Sequence, residues 1–235
     1  MGPSIEEALQ NALQKIIQEE VVLQAASRTD AGVHADQQII NFITSNHTLN
    51  LKRLKSSLNQ LLPKDIATLN VEEMDLSFHP TLDCKAKEYR YRIFFGDVQL
   101  PKNRLFAWHF NGPLDLKLME EAAFLLIGTR DFSSFCNVKK NHTYKDFIRT
   151  LYQINIEKVS DKEIAISILG DHFLYKMVRN IVGSLVYVGC GKIAPLAICD
   201  ILNSKKRTHI GITAPAHGLT LHKIFYDDPL RQSLR

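Results

Sequence analysis

A chain of 235 residues, 45% apolar and 23% charged, can bury a substantial core in one large domain or two small ones, which excludes disorder as its dominant state. Its formal net charge of +4 suits a polyanionic partner without demanding one. Cys84, Cys136, Cys190 and Cys199 form no C-x-x-C pair and have no histidines nearby at zinc-ligand spacing, so no metal is expected and a reduced, cytoplasmic compartment fits best.

In chain order, Ser4 and Glu7 form a capping box ahead of Ile5, Ala8, Leu9, Ala12, Leu13, Ile16 and Ile17, which repeat at helical spacing. Val21–Leu23 and Gln38–Ile43 read as strands around a polar loop. Leu51, Leu54, Leu58, Leu61 and Leu62 mark a second helix, stopped by Pro63. Ile66–Met74 reads as a further strand.

Lys85–Phe95 alternates, with Tyr89, Tyr91 and Ile93 on one face and Arg90 and Arg92 on the other. Leu116–Ile127 is a helix closed by Gly128, a left-handed cap. Phe147–Val159 and Ile164–Leu169 are strands around Ser160-Asp161. A long helix covers Met177–Val188, a shorter one starts near Pro195, and Leu219–Phe225 is the final strand. The long helix is the most apolar stretch, but Arg179 and Asn180 interrupt it, so it reads as buried and not membrane-spanning. Glu6, Glu7, Glu19 and Glu20 beside Lys15 are wrong for a transit peptide.

The second half is thus a βαββαβ unit, the ferredoxin-like split βαβ. The first half lacks only its opening strand, so the chain reads as short at its N-terminus. Two such halves, 1–80 and 81–235, joined edge to edge would give an α+β fold. Its one extended, mostly antiparallel sheet would carry helices on one face.

Three segments hold the candidate chemistry. The first is the polar loop with Ser27, Arg28, Thr29, Asp30, Gly32 and His34, carried between apolar strands. Composition alone favours an Asx-type turn here, with Gly32 at positive φ, over a catalytic loop. The second is the long helix, where Lys176 and Arg179 sit in an apolar run. A buried cation needs a partner, so Arg179 either pairs with a carboxylate elsewhere or snorkels to the surface. The third is Lys85–Arg92, which interleaves cations with aromatics as RNA-binding sheets do, or else is an edge strand with one solvated face. Lys139-Lys140-Asn141-His142 adds a basic loop. His34, His79, His172, His217 and His222 have no evident metal or nucleophile partners.

These segments together resemble the tRNA pseudouridine synthase A family. The resemblance rests on Ser27-Arg28-Thr29-Asp30-Ala31-Gly32-Val33-His34-Ala35, Lys87-Glu88-Tyr89-Arg90-Tyr91, Arg130-Asp131-Phe132-Ser133-Ser134-Phe135, Met177-Val178-Arg179-Asn180-Ile181-Val182-Gly183 and Ala216-His217-Gly218-Leu219. They occur in family order across nearly the whole chain.

The resemblance implies a homodimeric, cofactor-independent isomerase that converts uridine to pseudouridine at positions 38–40 of the tRNA anticodon stem-loop. It implies that Asp30 attacks the flipped nucleotide at the base or at C1′, and that Arg28 takes the base's place in the stack. Tyr89 would stack on the uracil, Arg179 would pair with Asp30 and hold it as an oriented carboxylate, and Leu219 would pack on the base. Lys87, Arg90 and Lys176 would contact RNA. The alternative is a catalytically silent tRNA-binding or RNA-folding protein of the same fold. The family's opening Tyr-Asp-Gly and Gly-Trp-Gln are not here; the single tryptophan is Trp108, and Ser27 replaces the usual glycine before Arg28.

Overall fold

The computed structural model describes residues 3–138 and 144–229. In chain order the elements begin with α1 (Ile5–Ile17), β1 (Gln24–Ala25), β2 (His34–Ala35), β3 (Ile40–Asn41) and α2 (Leu51–Leu61). Then come β4 (Ala86–Phe95), β5 (Trp108–Phe110), α3 (Leu116–Leu126), β6 (Gly128–Asp131), β7 (Ile148–Ser160) and β8 (Glu163–Gly170). The described chain ends with α4 (Met177–Gly189), α5 (Ala197–Ser204) and β9 (Leu219–Phe225). It is a mixed α+β fold in two units, one of residues 1–27 and 39–83, the other of 28–38 and 84–235.

In the first unit Ser4 caps α1, its Oγ accepting the Glu7 N–H at 3.1 Å, and Asn50 caps α2 by accepting from Arg53 at 3.0 Å. Each helix turns one apolar stripe inward. Ala12, Leu13 and Ile17 meet Leu54, Leu58 and Leu62 in one buried cluster with Val21. β1 and β3 form a two-stranded antiparallel ladder, Gln24 opposite Asn41.

The strand expected over Ile66–Met74 does not form: those residues join no ladder. Ile66 and Val71 do pack on the helix cluster. The Asn59 side chain, however, takes the Thr68 N–H at 2.7 Å and donates to its carbonyl at 2.9 Å. A side-chain amide on α2 thereby does what a neighbouring strand would have done.

The second unit holds a seven-stranded sheet, β2-β9-β4-β8-β7-β6, with β5 alongside β4. Four of its pairings are antiparallel, while β2–β9 and β4–β5 are parallel. Strands therefore fall in two sheets, one in each unit, in place of the single extended sheet expected. The loop segment 28–38, expected with the N-terminal half, belongs to the second unit and adds β2 to its sheet.

The alternation read in β4 has its physical cause here. Tyr89, Tyr91 and Ile93 lie opposite Ile168, Ile166 and Ile164 of β8, and all six are buried. Arg90 and Arg92 face the other way and are exposed. Helix α3 packs on β7 and on α4, whose residues are almost all buried. Gly128 follows α3 at φ +103 and opens β6.

Candidate active site

The loop from Arg28 to Ala35 is a turn, as its composition suggests. Gly32 takes φ +83, and the turn closes by the Val33 N–H donating to the Asp30 carbonyl at 3.0 Å. The turn uses Asp30's backbone and leaves its carboxylate free for another partner. That partner is Arg179, 149 residues later, whose Nη1 donates to Asp30 Oδ2 at 2.8 Å. The side chains keep only 13% (Arg179) and 25% (Asp30) of their surface exposed. Largely withdrawn from water, such a charge-assisted bond is stronger than a neutral one and fixes carboxylate orientation.

Arg179 is itself held. Its Nε donates to the Ala214 carbonyl at 2.7 Å, and the Ala214 N–H returns to the Arg179 carbonyl at 3.1 Å. One face of the guanidinium fork is thus spent on backbone and the other on Asp30. This requires the segment 211–214 to lie directly on α4. A side chain on Gly183 would meet the Ile212 carbonyl oxygen at 1.7 Å, and one on Gly211 would meet the Gly183 oxygen at 2.5 Å. Two glycines therefore permit the backbone contact that aims Arg179.

A parallel seam of side chains fastens the same two segments. Thr213 Oγ1 donates to Asn180 Oδ1 at 2.7 Å, and the Gly211 N–H donates to Ser184 Oγ at 3.2 Å. Asn180, fully buried, also donates to the Phe135 carbonyl at 2.7 Å and to Asn137 Oδ1 at 2.8 Å. Arg207 closes the network on Thr213 Oγ1 at 2.7 Å; partial burial lowers the pKa of its guanidinium. Arg207 escaped the sequence reading, although the run Lys205-Lys206-Arg207 was a signal. Asn180, which interrupts an apolar run in the sequence and lies in the motif Met177–Gly183, carries no assigned role there.

The sheet places the remaining groups. His34 of β2 is in register with Thr220 of β9, and Thr220 with Arg90 of β4. Two strand spacings, roughly 10 Å, therefore separate the end of the Asp30 loop from β4. On the middle strand, Leu219 and Leu221 lie opposite Tyr91 and Tyr89 and share their face. Tyr89 and Leu219 are nearly buried, at 6% and 5% exposure. Tyr89 meets the Phe173 ring edge-on at 5.0 Å between centroids. Tyr91 donates to the Pro215 carbonyl at 2.8 Å, and burial pushes its phenol pKa far up. Tyr91 is thereby a neutral anchor for the segment that carries Ala214.

The expected RNA-contacting cations differ among themselves. Arg28 and Arg90 are exposed, Arg90 lying 3.5 Å from Glu88. Lys176 takes φ +60 at the start of α4, its ammonium 5.1 Å above the Tyr175 ring. The basic stretch Lys139–His142 lies outside the described residues.

Lys87 is the outlier, buried to 6% exposure on the Tyr89 face with no salt bridge to a carboxylate among the described residues. Desolvation lowers the pKa of its ammonium. The charge thus weakens the folded state wherever Lys87 is protonated, and relief comes only as pH rises toward the ordinary lysine range. Replacing Lys87 with Met removes that burden. The expected result is an unfolding temperature a few degrees higher at pH 7 together with weaker tRNA binding. A melt with no rise, or unaltered tRNA affinity, would contradict it.

Among the described residues no cluster of three metal-ligating side chains occurs, and no helix is long and apolar enough to cross a membrane. Cys84 and Cys136 are buried free thiols, and Cys199 is an exposed one.

The site can be set beside known proteins. Residues 122–227 match the family model described as tRNA pseudouridine synthase. "tRNA pseudouridine synthase A 2" of Protochlamydia amoebophila (strain UWE25) is 52% identical over 225 residues, 96% of this chain and 86% of that protein. "tRNA pseudouridine synthase A" of Thermoanaerobacter sp. (strain X514) is 46% identical over 95% of this chain and 90% of its own length. The Chlamydia pneumoniae protein of that name is 42% identical over 96% and 84%. With identity of this extent along both partners, the chain belongs to the tRNA pseudouridine synthase A family, isomerases that make pseudouridine in tRNA.

Proposed function

We propose that Asp30 is the nucleophile of this isomerisation and that the uridines it converts lie at positions 38–40 of the tRNA anticodon stem-loop. The observation that carries the reading is the Asp30–Arg179 pair at 2.8 Å, with Arg179 fixed from behind by Ala214. A carboxylate so oriented, with one oxygen bonded to Arg179 and no hydrogen bond to the other among the described residues, is suited to covalent catalysis.

The reaction breaks the bond between N1 and C1′, turns the uracil and joins C5 to C1′. C5 gives up a proton and N1 takes one, so atoms and electrons balance within the substrate. Asp30 attacks either the base or C1′. Reaching it requires the nucleotide to leave its stack. Arg28, exposed at the mouth of the loop, occupies the vacated place. Tyr89 stacks on the uracil while Leu219 packs against it. Lys87, Arg90 and Lys176 meet phosphates, and for Lys87 an incoming phosphate supplies the anion its burial lacks.

In this reading the enzyme is a cytoplasmic homodimer, as its substrate and family suggest. The β4-α3-β7-β8-α4-β9 succession, with sheet order β9-β4-β8-β7, supports a ferredoxin-like unit in the C-terminal half. The N-terminal unit is then its partially matching counterpart.

Incubating the protein with unmodified tRNA and mapping pseudouridine by carbodiimide tests the site of action. Product confined to positions 38–40 is expected. Product only outside the anticodon stem-loop would refute the assignment.

A further inference from the structure

His34 stands four residues after Asp30, and its side chain points away from the reaction chemistry considered so far. Its Nε2 donates to the Leu105 carbonyl at 2.6 Å, and its ring stacks on Phe106 with centroids 4.8 Å apart and planes 30° apart. A carbonyl can only accept, so Nε2 carries the proton. This ties the Asp30 loop to the segment 96–107, which joins β4 to β5.

That segment is itself folded. Backbone N–H groups of Asn103, Phe106 and Ala107 donate to the carbonyls of Leu100, Asn103 and Asn103, at 2.9, 3.0 and 2.9 Å. Ala107 is buried, and the strands on either side pair with one another, Ile93 opposite Trp108. Its outer surface combines apolar and cationic side chains. Leu105 and Phe106 remain 53% and 50% exposed, and Lys102 and Arg104 beside them are exposed cations. The segment thus joins an open aromatic ring, two cations and a fixed backbone.

We infer that residues 102–106 are an RNA-binding platform on which a nucleotide neighbouring the target extends the His34–Phe106 stack, its phosphates met by Lys102 and Arg104. His34 and Phe106 already form a two-ring stack whose outer ring keeps half its surface open. A nucleobase is a planar group that continues such a stack, and base–aromatic stacking is sequence-tolerant. Charge selects the same partner, because the two cations suit the phosphates of a substrate that is tRNA. Position matters as well: the β2–β9 register sets His34 beside Thr220, next to Leu219. The platform is thereby fastened to the strand next to the one that carries Leu219. The inference rests on the reading that the target nucleotide enters at Asp30, and it adds a specific contact outside the reacting base.

The test uses the full chain, unmodified tRNA transcript, equilibrium binding and initial rates. Phe106→Ala should raise Kd and KM for tRNA about ten-fold, with kcat at saturation within about two-fold. Phe106→Trp should restore both, since it returns a stacking face. Phe106→Leu keeps an apolar group without one, so it should show the same ten-fold loss of affinity with the fold intact, even if the alanine variant folds poorly. Lys102→Ala with Arg104→Ala should lower the salt dependence of binding by about 1.4 in the log–log slope, two phosphates on a single strand.

Unaltered Kd, KM and salt slope in these variants would overturn the platform, as would a tryptophan variant no better than leucine. Affinity losses in the variants, with Asp30→Ala still forming pseudouridine at the wild-type rate, would instead leave the platform standing and remove Asp30 as the point of entry.

Discussion

Asp30→Ala should lower pseudouridine formation by at least about 10⁴-fold, the order expected when a covalent nucleophile is removed, while tRNA affinity stays within about two-fold. The separation follows from the geometry. In the proposed reading binding draws on cations and aromatic faces spread over the second unit, whereas the proposed nucleophile is a single carboxylate bonded to Arg179. In the alanine variant Arg179 still has the Ala214 carbonyl as partner, so the seam on α4 keeps its shape.

Asp30→Asn sharpens the test. The amide has the same outline and can still accept from Arg179, but it is not a nucleophile of comparable strength. Both variants should therefore be silent, with a native circular dichroism spectrum, although leaving the largely buried Arg179 without its carboxylate lowers the melting temperature by several degrees. Product at the wild-type rate from either, mapped with carbodiimide, would remove Asp30 from the mechanism.

What the sequence conveys about this site is uneven, and the reasons are physical. Local pattern locates α4 and β4 to within a residue or so because their burial is written on short range: a long apolar run for the one, the alternation Tyr89-Arg90-Tyr91-Arg92 for the other. The same reasoning fails at Ile66–Met74, where two apolar side chains seek the core but a side chain on α2 captures the backbone. Arg179 in an apolar helix signals that a partner exists. Choosing Asp30 among all the carboxylates needs the fold, or the family pattern.

Contacts to backbone are the least legible of all. Nothing in the residue types predicts that Arg179 will find the Ala214 carbonyl or that His34 will find that of Leu105, since every residue offers the same acceptor. The loop's place is similarly hidden. Asp30 lies between strands of the N-terminal half, yet residues 28–38 join the other unit because β2 pairs with β9. Only a long-range register decides that.

Gly183→Ala carries the second large effect, and here local and tertiary terms oppose each other. On an exposed helix the change would stabilise by about 1 kcal/mol, because alanine is the better helix former. On α4 the new methyl would lie 1.7 Å from the Ile212 carbonyl oxygen and 2.8 Å from its carbon. Those are backbone atoms, so no rotamer change relieves the clash. Helix and segment must move apart, at a cost of about 3 kcal/mol or more for overpacking. The clash outweighs propensity, and the melting temperature should fall.

Function should fall further than stability alone explains. Separating the segments stretches the Ala214–Arg179 and Thr213–Asn180 bonds together, which frees the guanidinium that aims Asp30. At a temperature where the variant is still folded, kcat should drop by ten-fold or more while tRNA affinity holds, since a small misplacement of an orienting group is costly. A variant with unchanged melting temperature would mean that the two segments do not touch as described. One that melts early but keeps full kcat when folded would mean that Arg179 orients Asp30 without help from Ala214.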